Sequence, residues 1–226
     1  MQKSVYSLVL SDDVVAQIDR LAYRHNTNRS NMINQILAEY VSYTTPEKRM
    51  ADTFRQMEQL LGAHDTFQML MQPSDATFSM RSAIQYKYNP SVRYAVELFR
   101  TMDGGVSGNE IGEFRVSLRS QNAALLLYMK QFFRLWMSVE SRYMDGCVYG
   151  EQGGKFTRRL RLLSTDGKAR EVNLSSEALG SLIYAYADVF DRALKCYFYN
   201  LNTPDAAVKE IDAMYRAYLS EHEIVL

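Results

Sequence analysis

The N-terminal stretch changes its hydrophobic period within about forty residues. Apolar and polar residues alternate over residues 3–10, which predicts a half-buried strand. Apolar residues then recur three or four positions apart over residues 14–22 and again over residues 32–40, which predicts two short amphipathic helices. The polar stretch His25–Asn28 separates them, and its asparagines tolerate the left-handed backbone of a tight break. The pattern therefore predicts one strand followed by two helices.

Polar residues mark the start of both helices. Ser11 precedes Asp12 and Asp13, an order typical of an N-cap followed by an acidic first turn. Asn28 is the expected N-cap of the second helix, with Arg29 in its first turn. One strand and two helices of this length bury too little apolar surface to be stable alone, and a lone strand leaves its backbone groups unpaired. We therefore expect this unit to pair with a second copy of itself through an antiparallel two-stranded ribbon.

About one fifth of the chain, residues 3–43, closely resembles the ribbon-helix-helix repressors of the Arc, MetJ and CopG type. The resemblance rests on three motifs, which follow in order as Leu8-x-Leu10-Ser11, Ile18-x-x-Leu21-Ala22 and Asn28-Arg29-Ser30-x-x-Ile33. It implies a homodimer that lays its ribbon in the major groove of double-stranded DNA. A two-stranded ribbon fits that groove. The expected role is sequence-specific DNA binding by a transcriptional repressor or a regulator of a plasmid or other mobile element.

The resemblance also implies which residues touch DNA. By strand parity Tyr6, Leu8 and Leu10 point inward. The DNA-contacting residues are then Lys3, Val5, Ser7 and Val9 on the outward face of the ribbon, and Asn28, Arg29 and Ser30 around a phosphate at the start of the second helix. Valine can contact a thymine methyl group but cannot hydrogen-bond to guanine, so we expect weak or T-rich direct readout.

A different class of function uses the same module only to dimerise. In that alternative the chain is an assembly or adaptor protein, and Val5 and Val9 are covered by protein rather than DNA. The balanced charge of residues 3–43 is compatible with this alternative. Its basic residues are balanced by acidic ones, with Lys3, Arg20, Arg24 and Arg29 against Asp12, Asp13, Asp19 and Glu39.

The rest of the chain predicts an α+β domain of antiparallel hairpins and long helices. A linking helix is expected over residues 44–64, with a threonine cap at Thr45 and an apolar stripe from Met50 to Leu61, and the α+β domain over residues 65–226. This helix suits either a spacer or the first helix of the domain. Further expected elements are strands at 78–88, 92–102 and 111–118, a helix at 120–144, a loop at 145–154, a hairpin with strands at 155–163 and 169–174, and helices at 176–200 and from Pro204.

An internal repeat of hairpin and helix runs through this domain. Val116-x-Leu118-x-Ser120 recurs as Val172-x-Leu174-x-Ser176, and each copy follows a strand and an Asp-Gly turn. Such units loosely resemble the Whirly and purine-rich-element-binding folds, whose sheets bind single-stranded nucleic acid. That resemblance implies an alternative function, a single-stranded nucleic-acid-binding or DNA-processing accessory protein.

A cluster of cations could serve that alternative. The second hairpin carries Lys155, Arg158, Arg159, Arg161, Lys168 and Arg170, which are typical of a surface that follows phosphates. The same charges suit a solvated edge hairpin that resists sheet-to-sheet aggregation. Aromatic residues on the strands, such as Tyr94 and Phe114, could stack on bases, but aromatic residues at such positions more often pack in a core.

Composition limits the classes of protein to which the chain can belong. The formal net charge is 0, so nucleic-acid affinity must come from local patches. Only Cys147 and Cys196 are present and the three histidines are scattered, so we expect free thiols in a reducing compartment, no metal site and no cofactor. The apolar stretches are interrupted by charges, which predicts buried helices rather than membrane spans, and no signal peptide is visible. No catalytic constellation is found, and we expect a cytoplasmic or nucleoid-associated protein that is not an enzyme.

Overall fold

The computed structural model describes residues 5–41, 43–72, 74–100, 110–164 and 174–226. In these ranges the chain is an α+β fold with six helices and a six-stranded antiparallel sheet. It divides into two compact units, Met1–Arg49 and Met50–Leu226.

The N-terminal unit consists of two helices around a very small core. Helix α1 spans Asp12–Arg24 and helix α2 spans Arg29–Tyr40, which confirms both predicted helices. The buried apolar residues of their contact are Ile18, Ala22 and Met32. Residues 5–10 form no strand within a single described chain. A ribbon over these residues needs a second strand, so it remains a proposal.

The second unit contains the sheet and the long helices. Its elements in chain order are α3 (Pro46–Ala63), β1 (Gln68–Met69), β2 (Thr77–Ala83), β3 (Ser91–Leu98), β4 (Glu110–Leu118), α4 (Ala123–Glu140), β5 (Tyr149–Gln152), β6 (Lys155–Arg161), β7 (Leu163–Ser164), α5 (Ser176–Tyr199), α6 (Pro204–Glu221) and β8 (Ile224–Val225). The large sheet has the order β1-β2-β3-β4-β6-β5, and β7 pairs with β8 in a separate two-stranded sheet. Helix α4 carries the chain from β4 to the edge strand β5, and β6 returns between them.

One face of the large sheet packs against helices. Phe114 on β4 meets Phe190 on α5 with ring centroids 5.4 Å apart, and Phe156 on β6 meets Phe133 on α4 at 5.2 Å. Alternate residues of β2, β3, β4 and β6 contribute to this core. Residues of opposite parity, such as Arg93 and Arg115, are exposed on the other face. We call the helix-packed side the inner face and the exposed side the outer face.

Helix α3 belongs to the core of the second unit from Met50 onward. Met50, Met57 and Leu61 are buried there. Gly180 on α5 lets α3 approach closely, because a Cβ at that position would lie 2.6 Å from the Thr53 carbonyl oxygen. The predicted cap is also present, since the Thr45 hydroxyl accepts a hydrogen bond from the Lys48 amide at 3.2 Å. The apolar stripe of α3 is therefore part of a domain core rather than of a free spacer.

The prediction of a strand through residue 88 is wrong beyond Ala83. Tyr88 and Asn89 have positive φ angles of 66° and 43°, which a strand cannot accommodate. The amide of Ile84 donates to the Pro90 carbonyl at 3.1 Å and closes the connection between β2 and β3. A tyrosine in the left-handed region is uncommon, and the sequence pattern did not indicate it.

The predicted loop over residues 145–154 contains strand β5. Gly153 and Gly154 adopt φ angles of 58° and 75° and form the turn of a β5–β6 hairpin. The hairpin turn that the sequence predicts at 165–167 lies outside the described residues, as do residues 169–173 of the predicted return strand 169–174. Leu174, the last residue of that predicted strand, is described and is not in a strand.

Helix α4 is shorter than predicted at both ends. Its N-cap is Asn122, whose side chain accepts from the Leu125 amide at 3.1 Å, whereas the Ser120 hydroxyl accepts from the Asn122 amide at 3.0 Å. The first copy of the predicted hairpin-helix repeat is therefore a strand and helix joined by a short loop. The strand of the second copy falls outside the described residues.

Candidate nucleic-acid interface

The predicted reading face of the ribbon is fully open in a single chain. Val5 and Val9 are completely exposed, and Ser7 is exposed as well. The predicted inward residues Tyr6, Leu8 and Leu10 are also exposed. Lys3 lies outside the described residues. The single chain therefore leaves the apolar side of the predicted strand uncovered.

Exposed apolar side chains concentrate in this small unit. Of the 18 large hydrophobic side chains that are exposed among the described residues, 12 fall between residues 5 and 43. They are Val5, Tyr6, Leu8, Val9, Leu10, Val14, Tyr23, Ile36, Leu37, Tyr40, Val41 and Tyr43. Scattered apolar residues on a surface are ordinary, but such a concentration on one short segment marks an interaction surface.

The start of α2 is built as the sequence predicts. Asn28 is the N-cap, and its side-chain oxygen accepts a hydrogen bond from the Asn31 amide at 2.9 Å. The next two amides, of Arg29 and Ser30, donate no backbone hydrogen bond to a described residue, and both residues are exposed. Free amides at a helix N-terminus attract an anion. All three predicted phosphate-contacting residues therefore lie together on the surface.

Arg29 forms an ion pair with Asp19, which the sequence pattern did not indicate. Its Nε and one terminal nitrogen donate to the two Asp19 oxygens at 2.7 and 2.6 Å. These hydrogen bonds lower the pKa of Asp19 and raise the pKa of Arg29. Because the pair is exposed, a phosphate can compete with Asp19 for the guanidinium. Asp19 therefore moderates the charge available at this position.

Arg158 does not belong to an exposed cationic surface, and that prediction is wrong. Its side chain is 1% exposed, and its Nε lies 3.1 Å from a carboxylate oxygen of Glu140, which is itself fully buried. The guanidinium stacks over the Tyr186 ring at 4.6 Å and donates to the Leu226 carbonyl. Position 158 has the same parity as Phe156 and Leu160, so its side chain enters the core.

The buried ion pair links three elements of the second unit. Burial raises the pKa of Glu140, and the charge of Arg158 opposes that rise. Burial also disfavours the charged guanidinium, but the carboxylate outweighs it and holds the pKa of Arg158 well above its usual value. Tyr215 on α6 donates to Glu140 at 3.3 Å. The pair is therefore part of the core, joining α4, β6 and α6.

The other predicted cations of this region are dispersed. Arg159 lies 3.5 Å from Glu113, and Arg161 lies 3.5 Å from Glu110. Lys155 is exposed and forms no ion pair with a described residue. Lys168 and Arg170 lie outside the described residues. Strand β6 is flanked by β4 and β5, so it is an interior strand and not the edge hairpin that the sequence suggested.

Two aromatic residues that the sequence offered for base stacking, Tyr94 and Phe114, belong to the core of the second unit. Tyr94 and Phe114 are completely buried, as expected for core residues. Tyr94 donates a hydrogen bond to Asp191 at 2.8 Å, and burial raises its pKa well above the usual range. Neither ring is available to a nucleic acid.

Other chemistry is limited in the part of the chain that the structure describes. No group of three His, Cys, Asp or Glu side chains converges there as metal ligands would. Cys147 and Cys196 are both free thiols. Among the described helices, none has the length and apolar character needed to cross a membrane.

Comparison with models of protein families, with curated proteins and with solved structures found no match for this chain.

Proposed function

We propose that the protein is a homodimeric, sequence-specific double-stranded-DNA-binding protein, acting as a transcriptional repressor or as a regulator of a plasmid or other mobile element. The observation that carries the proposal is the incomplete N-terminal unit. Its hydrophobic core has only three buried residues, while twelve large hydrophobic side chains of the segment are exposed. A second copy would cover much of that apolar surface and would provide a partner for the strand.

A second copy is the partner that the chemistry favours. Residues 5–10 lack any strand partner in the single chain, and their backbone groups need one once the apolar side is covered. Two identical strands related by a twofold axis satisfy each other in an antiparallel ribbon. The exposed apolar residues of α2, including Ile36 and Leu37, then gain a hydrophobic partner as well.

The outward side of such a ribbon suits the major groove. Ser7 offers a hydroxyl to base edges, and Val5 and Val9 offer methyl groups that can contact thymine. The start of α2 supplies free amides and Arg29 for a phosphate next to the groove. A dimer presents both features twice, so we expect a T-rich, pseudo-palindromic site.

The proposal is tested with full-length protein and a pool of random duplexes. Bound duplexes are selected and sequenced, and affinity for the enriched site is measured over a range of salt concentrations. Arg29→Ala should weaken binding to all duplexes by a similar factor and reduce the salt slope by about 1 for each phosphate that is no longer neutralised. Ser7→Ala should instead change the enriched sequence, because Ser7 is placed at base edges.

Arg55→Ala is a matched control. Arg55 is an exposed arginine of α3 that is paired with Asp52, as Arg29 is paired with Asp19. It should leave both the affinity and the enriched sequence unchanged. A stable dimer that shows no salt-sensitive binding to any duplex would contradict the proposal and leave dimerisation as the sole role of the N-terminal unit.

A further inference from the structure

One row of side chains crosses the outer face of the large sheet from edge to edge. The strand register pairs its members in turn: Gln68 with Arg81, Arg81 with Arg93, Arg93 with Ser117, Ser117 with Lys155, and Lys155 with Gln152. Directly paired residues share a face of the sheet, so all six side chains project to the same side. We call these six residues the cationic row, because its three charged members are all positive.

The cationic row contains an unfavourable contact. Arg81 and Arg93 are directly opposite on neighbouring strands, and like charges in that position destabilise a sheet. Their hydrogen bonds go to neutral groups, Arg81 to the Gln68 side chain and Arg93 to the Ser79 hydroxyl, both at 3.1 Å. Neither arginine forms an ion pair with a described residue, and the same holds for Lys155. A carboxylate at either position would remove this repulsion.

The neighbouring part of the same face shows that arrangement. Arg115 forms ion pairs with Glu97 and Glu113, and Glu113 also forms an ion pair with Arg159 at 3.5 Å. The outer face therefore neutralises its arginines where β3 and β4 carry glutamates. The cationic row lies beside this neutralised area, and its three positive charges have no acidic partner among the described residues.

We propose that the cationic row binds the sugar-phosphate backbone of duplex DNA. Neighbouring strands are about 4.8 Å apart, so the charges of Arg81, Arg93 and Lys155 span about 14 Å across four strands. Ser117 lies between Arg93 and Lys155 and adds a hydroxyl donor. A polyanion would remove the repulsion between Arg81 and Arg93 and neutralise Lys155 at the same time. The proposal takes duplex DNA from the proposed function, although the row lies on the second unit and involves none of the ribbon residues.

Two features favour a duplex over a single strand or an acidic protein. The cationic row has no aromatic member on which an unpaired base could stack, and single-strand-binding surfaces depend on such stacking. It also has no apolar member that would form the centre of a protein interface. What remains is charge with hydroxyl and amide donors, which positions a phosphate backbone without reading sequence.

The test uses full-length protein and a 5′-labelled duplex of mixed sequence, with the corresponding single strand as a second probe. Binding is measured by fluorescence anisotropy over a range of salt concentrations. The double variant Arg81→Gln and Arg93→Gln should reduce the slope of log affinity against log salt by about 2 on the duplex, since each neutralised phosphate contributes about 0.9 to that slope. A double control, Arg134→Gln and Arg192→Gln, removes two exposed arginines from α4 and α5 and should leave the slope unchanged.

The variant Arg81→Glu distinguishes a role of Arg81 in DNA binding from a role in stability. It places a carboxylate opposite Arg93, so the thermal unfolding midpoint should stay the same or rise by about 1 to 4 °C. Binding to the duplex should nevertheless fall at least as much as in the double glutamine variant. A variant that is as stable as the original chain but binds duplex more weakly cannot be explained by misfolding.

The outcomes distinguish this proposal from the function of the ribbon. Unchanged duplex binding in the Arg81 and Arg93 variants, with weakened binding in Arg29→Ala, would overturn the cationic row and leave the proposed function intact. A flattened slope in the row variants, with no effect of Arg29→Ala or Ser7→Ala, would support the row and contradict the ribbon. Loss of single-strand binding with unchanged duplex binding would overturn the duplex proposal in favour of a single-strand partner.

Discussion

The two units of this protein solve the problem of burying apolar surface in opposite ways. The second unit encloses a core of 43 buried hydrophobic residues, whereas the N-terminal unit encloses three. The second unit can therefore be stable as a single chain, whereas we expect the N-terminal unit to bury most of its apolar surface against a partner. The comparison teaches that, in a unit with so small a core, the exposed apolar residues are as informative as the buried ones.

The ion pairs of the two units also differ in burial, since one is enclosed and the other is exposed. Glu140 and Arg158 are enclosed by aromatic rings, and neither can be solvated if its partner is removed. Asp19 and Arg29 are both open to solvent and can exchange partners. An enclosed pair constrains the fold, while an open pair is available to a ligand.

Breaking the enclosed pair should have the largest effect. Glu140→Gln leaves the Arg158 guanidinium buried without a counter-charge, so we expect a loss of about 3 to 5 kcal/mol in the free energy of unfolding of the second unit. Denaturant unfolding followed by the fluorescence of Trp136 measures it, since that residue lies in the same core. The double variant Glu140→Leu and Arg158→Met should recover most of the loss, because it leaves no unpaired charge. A double variant as unstable as the single one would show that the pair itself is required.

Charging the exposed apolar surface of the N-terminal unit should have the next largest effect. Leu37→Asp should raise the dissociation constant of the dimer at least about 100-fold, because each copy then carries a charge in place of an apolar side chain at the interface. Sedimentation equilibrium of the full-length chain measures it. Unfolding of the second unit should be unaffected.

Leu127→Asp provides a closely matched control for that variant. Leu127 is 54% exposed on α4 of the second unit, compared with 52% for Leu37 on α2. The two substitutions therefore make the same chemical change at the same accessibility. Equal effects on the dimer would mean that exposure alone does not identify the interface.

Releasing the open pair should have a moderate effect on DNA binding. Asp19→Asn removes the carboxylate that competes with phosphate for Arg29, so affinity for duplex DNA should rise by about fivefold at low salt. The unfolding of the second unit should not change. Weaker binding in this variant would indicate that Asp19 is needed to orient Arg29 rather than to moderate it.

The smallest expected effect concerns a thiol of the second unit. Burial and the nearby Glu210 carboxylate raise the pKa of Cys196 from 9.0 to about 11, so its thiol stays protonated in the folded state while it ionises in the unfolded chain. Stability from this group is fully present below pH 9.0 and is lost as pH rises toward about 11. The difference between the original chain and Cys196→Ala, measured by thermal unfolding at several pH values, should show that decline. A difference that does not change over this pH range would contradict the assignment.

Local signals in the sequence were sufficient for most of the helices and several strands. Asn28 before an apolar stripe predicted the start of α2, and alternation predicted most of β3 and β4. Strand β5 was missed because it is short and carries little apolar alternation, so the two glycines after it were interpreted as part of a loop. Local patterns could not show that Tyr88 would adopt a left-handed backbone.

The candidate site residues show which features cannot be predicted from the sequence alone. Arg158 has the opposite parity to Arg159 and Arg161 in the sequence of β6, but the partner that makes its burial possible, Glu140, comes from a different element. The cationic row was not visible in the sequence either, because Arg81, Arg93 and Lys155 are aligned only by the register of strands that are distant in the chain. Cross-strand register depends on tertiary contacts, which one sequence does not reveal.

Amide hydrogen exchange at residues 5–10 tests the central claim most directly. None of these amides donates a backbone hydrogen bond within a single described chain. If two copies form an antiparallel ribbon, alternate amides in this segment should be protected, and the protection should disappear on dilution below the dissociation constant of the dimer. Complete and rapid exchange at every protein concentration would show that the segment does not pair with its copy and would contradict the proposed DNA-binding ribbon.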